Sequence, residues 1–323
     1  MTPIRIELPA GWSMGSVNAY LFTRPEVVLV DTGERTEASW EALVDGLAAH
    51  GVAARDVSRI VITHPHVDHF GLARRIIDES DATLWIFEQG APWLPADSEL
   101  WAARANFYND EFLPRTGLSP ETQRLIARGN EKIQSMTSSI PEERIVTFRA
   151  TGELRLGGLG WRIIHTPGHA SMQTVFYQPE TRQLLSADML LAVVPAPMLE
   201  QPPPGKQRRE PALPLFLRSL DVLDALEIDT VYPGHGRPFG NHRQVIARQR
   251  ERIETRKAEC LALIRDGRST IPELLEAMYS HQPPTSRIAG LWMLVGYLDL
   301  LLDEGAVREE EVDGVWRYRT DRD

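Results

Sequence analysis

Between Val27 and Phe87 the apolar and polar positions switch repeatedly between the rhythm of a strand and that of a helix. Val27-Val28-Leu29-Val30 is an unbroken apolar run, as a strand buried on both faces carries, and it stops at Asp31-Thr32-Gly33. Over Ala38 to His50, Trp40, Leu43, Val44 and Leu47 recur at the spacing of one helix face. Arg59-Ile60-Val61-Ile62-Thr63 is a second strand run, Leu72 to Glu79 a second helix and Thr83 to Phe87 a third strand. Strands separated by helices in this order predict a layered α/β fold.

The rhythm changes at residue 91. Trp93, Trp101, Phe107, Tyr108 and Phe112, followed by the polar helical pattern of Pro120 to Ser135, predict a helical insertion over 91–147. Strands resume at Val146 to Phe148, Glu153 to Leu156, Trp161 to Ile164, Thr174 to Tyr177 and Gln183 to Ser186, with Gly157-Gly158 and Pro179-Glu180 as turns. The prolines from Pro195 to Pro214 predict an extended loop, Leu215 to Leu226 an amphipathic helix, Thr230 to Tyr232 a last strand and Gln244 to Asp266 a long arginine-rich helix. After Gly267 come a helix start at Thr270, an apolar helix over Ala289 to Asp303 and a hairpin around Asp313-Gly314. Helix, helix, hairpin is the outline of a small winged-helix unit. The expected division is a catalytic unit over 1–266 and a winged-helix-like unit over 267–323.

Composition narrows the picture. With 323 residues, 42% of them hydrophobic, the chain has apolar material for a large core plus an appendage, which excludes a disordered or solenoid architecture. A formal charge of -10 repels polyanions and disfavours nucleic acid as a partner. The single cysteine, Cys260, forms no intramolecular disulfide and reads as a small buried apolar residue. Met1 to Trp12 lacks the apolar region of a secretory signal, and the longest apolar stretches, Met189 to Leu199 and Leu291 to Leu302, fall short of the roughly 18 residues of a membrane span. The expectation is a cytoplasmic protein with no membrane association.

The candidate chemistry lies in Thr63-His64-Pro65-His66-Val67-Asp68-His69-Phe70-Gly71, which follows one strand and precedes a helix. In α/β folds such strand ends carry the site. Imidazoles and carboxylates at this density suit a borderline divalent cation, with zinc first and iron or manganese also able to occupy a mixed N/O site. His64 and His66 are placed to face one ion and Asp68 and His69 another. Neither pair completes a tetrahedral site, so further ligands are required. Thr166-Pro167-Gly168-His169, Ser186-Ala187-Asp188 and Pro233-Gly234-His235-Gly236 each follow a predicted strand and offer one. Of the remaining histidines, His50, His242 and His281 match no motif, and His165, four residues before His169, is placed to support that loop.

The set His64-x-His66-x-Asp68-His69, His169, Asp188 and His235, with Asp31-Thr32-Gly33 upstream, resembles the metallo-β-lactamase superfamily in its glyoxalase II-like branch. The resemblance implies an αββα sandwich holding two metal ions. One would be bound by His64, His66 and His169, the other by Asp68, His69 and His235, with Asp188 bridging them and Asp31 supporting the ligand loop by hydrogen bonds. A hydroxide between two such ions attacks without a serine or cysteine nucleophile. Asp68 is then both a ligand and the catalytic acceptor that orients the attacking water. By the same resemblance, Asp188 argues against a true β-lactamase, and His66 stands where the oxygen-reducing relatives carry a glutamate.

The expected substrates are thioesters or related acyl esters. The resemblance extends to winged-helix-bearing hydrolases that include acyl-carrier-protein thioesterases and an endoribonuclease of single-stranded RNA, so RNA cleavage and lactone hydrolysis stay open. From Ser269 to Asp323 there are five basic and eleven acidic residues, a net of -6, which a nucleic-acid-reading wing would not carry. That unit is expected to pack on the core or to form a homodimer surface. Asn241 to Arg268, with eight basic and four acidic residues, is net +4 and offers a place for phosphates. Trp93, Trp101, Phe107, Tyr108 and Phe112 are expected to build a cover for an acyl chain, with the proline-rich loop as the facing wall.

Overall fold

The computed structural model describes residues 2–11, 15–192, 200–203, 206 and 208–320. Much of the proline-rich loop, residues 193–199, 204, 205 and 207, lies outside the described residues. Strands β1 (Ile4–Pro9), β2 (Ser16–Phe22), β3 (Val28–Val30), β4 (Arg59–Ile62), β5 (Thr83–Phe87) and β6 (Ile145–Phe148) form one sheet in chain order. Strands β7 (Glu153–Leu156), β8 (Leu159–His165), β9 (Thr174–Gln178), β10 (Gln183–Ala187) and β11 (Thr230–Pro233) form a second, ordered β11-β10-β9-β8-β7. The helices are α1 (Glu37–Ala48), α2 (Val67–Phe70), α3 (Ala73–Glu79), α4 (Glu99–Asn106), α5 (Leu113–Arg115), α6 (Pro120–Ser135), α7 (Ala212–Asp224), α8 (His242–Arg265), α9 (Ile271–Tyr279) and α10 (Pro284–Asp303). A hairpin of β12 (Arg308–Val312) and β13 (Val315–Arg319) ends the chain.

The two-residue period of the strands sorts the side chains into layers. Val28 and Val30 point between the sheets, with Val61 beside them, while Leu29, Ile60 and Ile62 point outward onto α1 and α3. In the second sheet Phe176, Leu185 and Tyr232 face inward, and Val175, Tyr177, Leu184 and Val231 face the helices on the other side. The sheets meet through contacts such as Phe22 against Trp161, edge to face at 5.8 Å. The result is the expected αββα sandwich. Apolar runs in both sheets reflect burial on both faces.

The C-terminal helices and hairpin form as the pattern predicts, and α9 starts at a reciprocal capping box of Thr270 and Glu273. They share a core with the second sheet. Leu294, Tyr297, Leu298 and Leu301 of α10 lie in one cluster with Leu213, Phe216 and Leu220 of α7 and with Val245, Ile246 and Ile253 of α8. Gly296 allows the close approach, because a Cβ there would stand 2.8 Å from the Leu213 Cβ. Cys260 is fully buried in the same cluster. Arg209 adds a two-pronged ion pair to Asp299 of α10, at 2.8 and 2.6 Å.

The insertion is helical, with a π-helical turn over Phe107–Phe112 between α4 and α5. The five aromatic residues expected to cover a substrate are all buried. Phe107, Tyr108 and Phe112 pack on one another, Trp292 of α10 meets the rings of Tyr108 and Phe112 at 5.6 and 6.0 Å, and Trp316 of β13 meets Phe112. Trp93 and Trp101 pair edge to face at 5.1 Å and join the core between the sheets. Phe107, Tyr108 and Phe112 thus pack the insertion against the C-terminal unit, whereas Trp93 and Trp101 pack it against the core between the sheets. Among the described residues, no helix is long and apolar enough to cross a membrane.

A core shared in this way makes unfolding a single event. Leu298→Ala, which removes a buried side chain from α10, is expected to destabilise the one calorimetric transition by about 2–5 kcal/mol. A thermogram with a second transition that the substitution leaves in place would contradict this.

Candidate metal centre

Every candidate ligand sits where a strand ends at one rim of the sandwich. After β4, the segment Thr63-His64-Pro65-His66 bends and brings the His64 and His66 rings together, Nε2 of the first 3.0 Å from Nδ1 of the second. His66 is the N-cap of α2, the single helical turn that carries Asp68 and His69. β8 leads to His169, β10 to Asp188 and β11 to His235. All seven side chains converge, and their ligand atoms form three overlapping groups: His64, His66 and His169; His64, His69 and Asp188; Asp68, His69 and His235. Within each group the ligand atoms lie within 4.8 Å of one another.

The detail favours a cation. His66 Nδ1 stands 3.0 Å from His64 Nε2 and 2.9 Å from His169 Nε2, so three ring nitrogens point at one place. Imidazole lone pairs that converge so closely are satisfied together by a shared metal ion. Asp188 Oδ2 lies 3.5 Å from His169 Nε2 and 3.3 Å from His235 Nε2, between the two halves of the cluster. His69 Nε2 and Asp188 Oδ1 are buried without a hydrogen-bond partner. Buried polar atoms are rarely left so unless something else binds them. His66 and Asp68 are half-buried, whereas the other five are buried, so solvent reaches the cluster from their side.

Electrostatics divide the cluster the same way. Burial, reinforced by the neighbouring imidazoles, holds His64 and His66 well below the usual histidine pKa, and burial likewise lowers His169. These three are neutral donors. Burial would lower His69 as well, but the carboxylates of Asp188, Asp68 and Asp31 outweigh it and hold the ring well above its ordinary value. His235, against Asp188 and Asp68, is pushed up to about 10 in spite of its burial. Although burial opposes their ionisation, Asp68 and Asp188 are held below the usual carboxylate range by His69 and His235. The Asp188 half of the cluster therefore demands positive charge, which a divalent ion supplies in place of protons.

The ligand loops are held from behind. Asp31 accepts hydrogen bonds from the Thr63 backbone N–H at 2.9 Å and the Thr63 hydroxyl at 2.9 Å, and pairs with His69 Nδ1 at 2.9 Å. That contact turns His69 Nε2 toward the cluster. His235 Nδ1 meets the Ser16 carbonyl at 2.6 Å with the same consequence. The His169 loop is gripped three times: Ser219 of α7 donates to the Pro167 carbonyl, His165 Nε2 lies 2.6 Å from the Ser171 carbonyl, and Glu200 accepts from the Ser171 N–H. Asp31, at φ 59°, and Ala187, at φ 45°, are non-glycine residues in the left-handed region directly at the site.

The seven candidate ligands and Asp31 named from the sequence come together here. The sequence did not point to Ser16, whose contribution is a backbone carbonyl without sequence signal, or to Glu200, which lies in the proline-rich stretch outside any motif. Ser219 reads as an ordinary polar position of an amphipathic helix, yet it is buried. The two motif glycines serve different ends. Gly168 is at φ 144°, and a Cβ there would stand 2.4 Å from the Phe216 Cα. Gly234 is required for space, since its Cβ would come within 2.1 Å of Asp188 Oδ1. Gly234→Ala is expected to displace Asp188 and lower the bound metal below the wild-type stoichiometry in plasma mass spectrometry, with far-ultraviolet circular dichroism unchanged. Full metal content in this variant would show that Asp188 is free to move aside.

The family profile described as Metallo-beta-lactamase superfamily matches residues 12–235. The chain is 26% identical over 306 residues to the probable metallo-hydrolase YqjP of Bacillus subtilis (strain 168), covering 94% of this chain and 93% of that protein. A solved metallo-beta-lactamase family protein of Thermus thermophilus superposes with a TM-score of 0.77 at 28% identity, covering 98% of this chain and 97% of the other. The atrochrysone carboxyl ACP thioesterase of Aspergillus fumigatus is 22% identical over 288 residues, covering 85% of this chain and 72% of that enzyme. With the fold and the ligand geometry in agreement, the chain belongs to the metallo-beta-lactamase superfamily and is a metallo-hydrolase of that superfamily.

Proposed function

We propose that the chain hydrolyses acyl thioesters, or closely related acyl esters, at a centre of two divalent ions, zinc being the ion this donor set suits best. The observation that carries the two-ion reading is the position of Asp188 between two halves that each bring three other donors. His64, His66 and His169 would hold one ion, and Asp68, His69 and His235 the other. Bound there, such ions supply a nucleophile from water at neutral pH and polarise the scissile carbonyl. The protein's own groups do the rest. Asp68, kept ionised and half-exposed on the open side, accepts the proton of the attacking water and orients it. The buried imidazoles and their supports keep that geometry fixed.

The acyl thioester reading draws on the likeness to the Aspergillus thioesterase across most of this chain. Charge speaks against RNA. Of the basic residues of 241–268, Arg243, Arg250, Arg256, Lys257 and Arg268 are each engaged by a carboxylate, those of Glu227, Asp221, Glu259, Glu254 with Glu304, and Asp266. Three of these carboxylates, Glu227, Asp221 and Glu304, lie outside the segment and offset most of its net charge, and β12 presents Glu309, Glu310 and Glu311.

Assay of the zinc-loaded protein against acyl-CoA, S-lactoylglutathione and lactones tests the reading. Thioester turnover is expected, with Asp68→Ala reducing kcat/KM by about 10²–10⁴-fold, the usual worth of a positioned proton acceptor. Turnover confined to lactones would assign a lactonase. Cleavage of single-stranded RNA that vanishes in Asp68→Ala would assign a ribonuclease, and no turnover above a His64→Ala control overturns the hydrolase reading.

A further inference from the structure

We infer that Asn18 and Tyr20, on β2, are positioning residues for the His235 half of the metal centre. The inference rests on the two-ion reading above. β2 belongs to the first sheet and the His235 loop leaves β11 of the second, 215 residues away in sequence. Asn18 is fully buried. Its Nδ2 donates at 2.8 Å to the Pro233 carbonyl and at 2.8 Å to the Gly236 carbonyl, and its backbone N–H donates at 2.7 Å to the Gly234 carbonyl. The Tyr20 hydroxyl donates to Pro233 as well, at 2.7 Å. These contacts bracket His235, gripping the carbonyls of the two residues before it and of the one after it.

The orientation of the Asn18 amide is not arbitrary. Its Oδ1 accepts from Arg5 Nε at 2.8 Å, so the oxygen end is occupied by a donor and the NH₂ end faces the loop. The Nδ2 hydrogens then go to the two carbonyls, with the Tyr20 hydroxyl 3.4 Å from the same nitrogen, an arrangement that neither aspartate nor a shorter side chain reproduces. The loop they hold has little room. Gly234 already lies against Asp188 and His69, and His235 Nε2 stands 3.4 Å from Asp68 Oδ2 and 3.3 Å from Asp188 Oδ2. A displacement of the loop therefore moves the His235 nitrogen relative to both carboxylates. The His64, His66 and His169 half has separate supports in Thr63 and Ser219. A tie that served only to join the sheets would affect both halves alike, whereas a positioning pair affects one.

Chelator competition on zinc- and cobalt-loaded protein, with the visible spectrum of the cobalt form read during stepwise loading, separates the two ions. Asn18→Asp removes the donors at nearly constant shape and is expected to weaken one of the two ions about 10- to 100-fold, as loss of a ligand's support commonly does, while the other keeps wild-type affinity. Tyr20→Phe leaves Pro233 with its Asn18 donor and is expected to weaken the same ion about 2- to 10-fold, the worth of one neutral hydrogen bond. Tyr20→Phe decides the matter should Asn18→Asp fail to fold. Equal weakening of both ions, or wild-type affinity for both in a folded variant, overturns the inference and leaves the two-ion reading standing. A wild-type protein that binds fewer than two ions overturns that reading and this inference with it.

Discussion

The structure is organised around a buried carboxylate that its surroundings do not neutralise by hydrogen bonds. Asp188 is almost fully buried, and Oδ1 has no hydrogen-bond partner. An anion in that position is costly unless positive charge stands beside it. Here the nearest basic side chains are His69, His169 and His235, each between 3.3 and 3.5 Å from one of its oxygens, and of these His69 and His235 are the ones its charge holds above their ordinary pKa. A divalent ion bound at this cluster would meet the same demand with fixed geometry and leave the imidazoles neutral, the state in which they bind metal. The site is therefore incomplete as protein alone, and its buried polar atoms record what is needed to complete it.

The demand also explains the fold around it. Seven ligands must come from distant parts of the chain, and a sandwich of two sheets with strands ending at one rim delivers them. β4 brings four within six residues, and β8, β10 and β11 bring one each. Tight convergence leaves no room for side chains on the loops that turn there, as Gly168 and Gly234 show. It also places Asp31 and Ala187 at positive φ, a backbone cost of order 1–3 kcal/mol each that packing and hydrogen bonds must hold in place. Arg182 and Asp313, the other non-glycine residues at positive φ among the described residues, sit in the turns between β9 and β10 and between β12 and β13, where the chain reverses.

Much of this could be read from the residues, and the reason is local. Ligand residues cluster in short motifs next to strand runs, and both the motif and the strand are properties of neighbouring residues. Layer assignment was not legible in the same way, because the unbroken apolar run of Val27 to Val30 does not tell which face Val28 and Val30 take and which Leu29. What escaped depends on packing between distant segments. Tyr108 and Phe112 stand in the sequence as aromatics of an insertion, and only the position of Trp292 and Trp316 shows which rings they pack against. Asn18 and Tyr20 alternate along β2 as any strand residues do. Their grip on the His235 loop exists because the second sheet comes to lie beside them, and no pattern in Ser16 to Phe22 announces that.

The same long-range packing ties the C-terminal unit to the metal rim. Before it enters α7, the chain that leaves Asp188 is anchored at Leu191, whose carbonyl accepts from Gln249 of α8, and then by two charged side chains. Glu200 accepts from Ser171, two residues beyond the ligand His169, and Arg209 pairs with Asp299 of α10. Both anchors are charged groups buried enough that burial raises the pKa of Glu200 and of Asp299, so each contact stands in a medium where electrostatic attraction is weakly screened. α7 in turn holds the His169 loop through Ser219 and packs on α10 through Leu213. The His169 loop, α7 and α10 are thus joined by direct contacts. The acidic hairpin belongs to a unit whose helices are part of the site's supporting core, which accounts for an appendage that lacks the basic surface of a nucleic-acid reader and yet is firmly built into the enzyme.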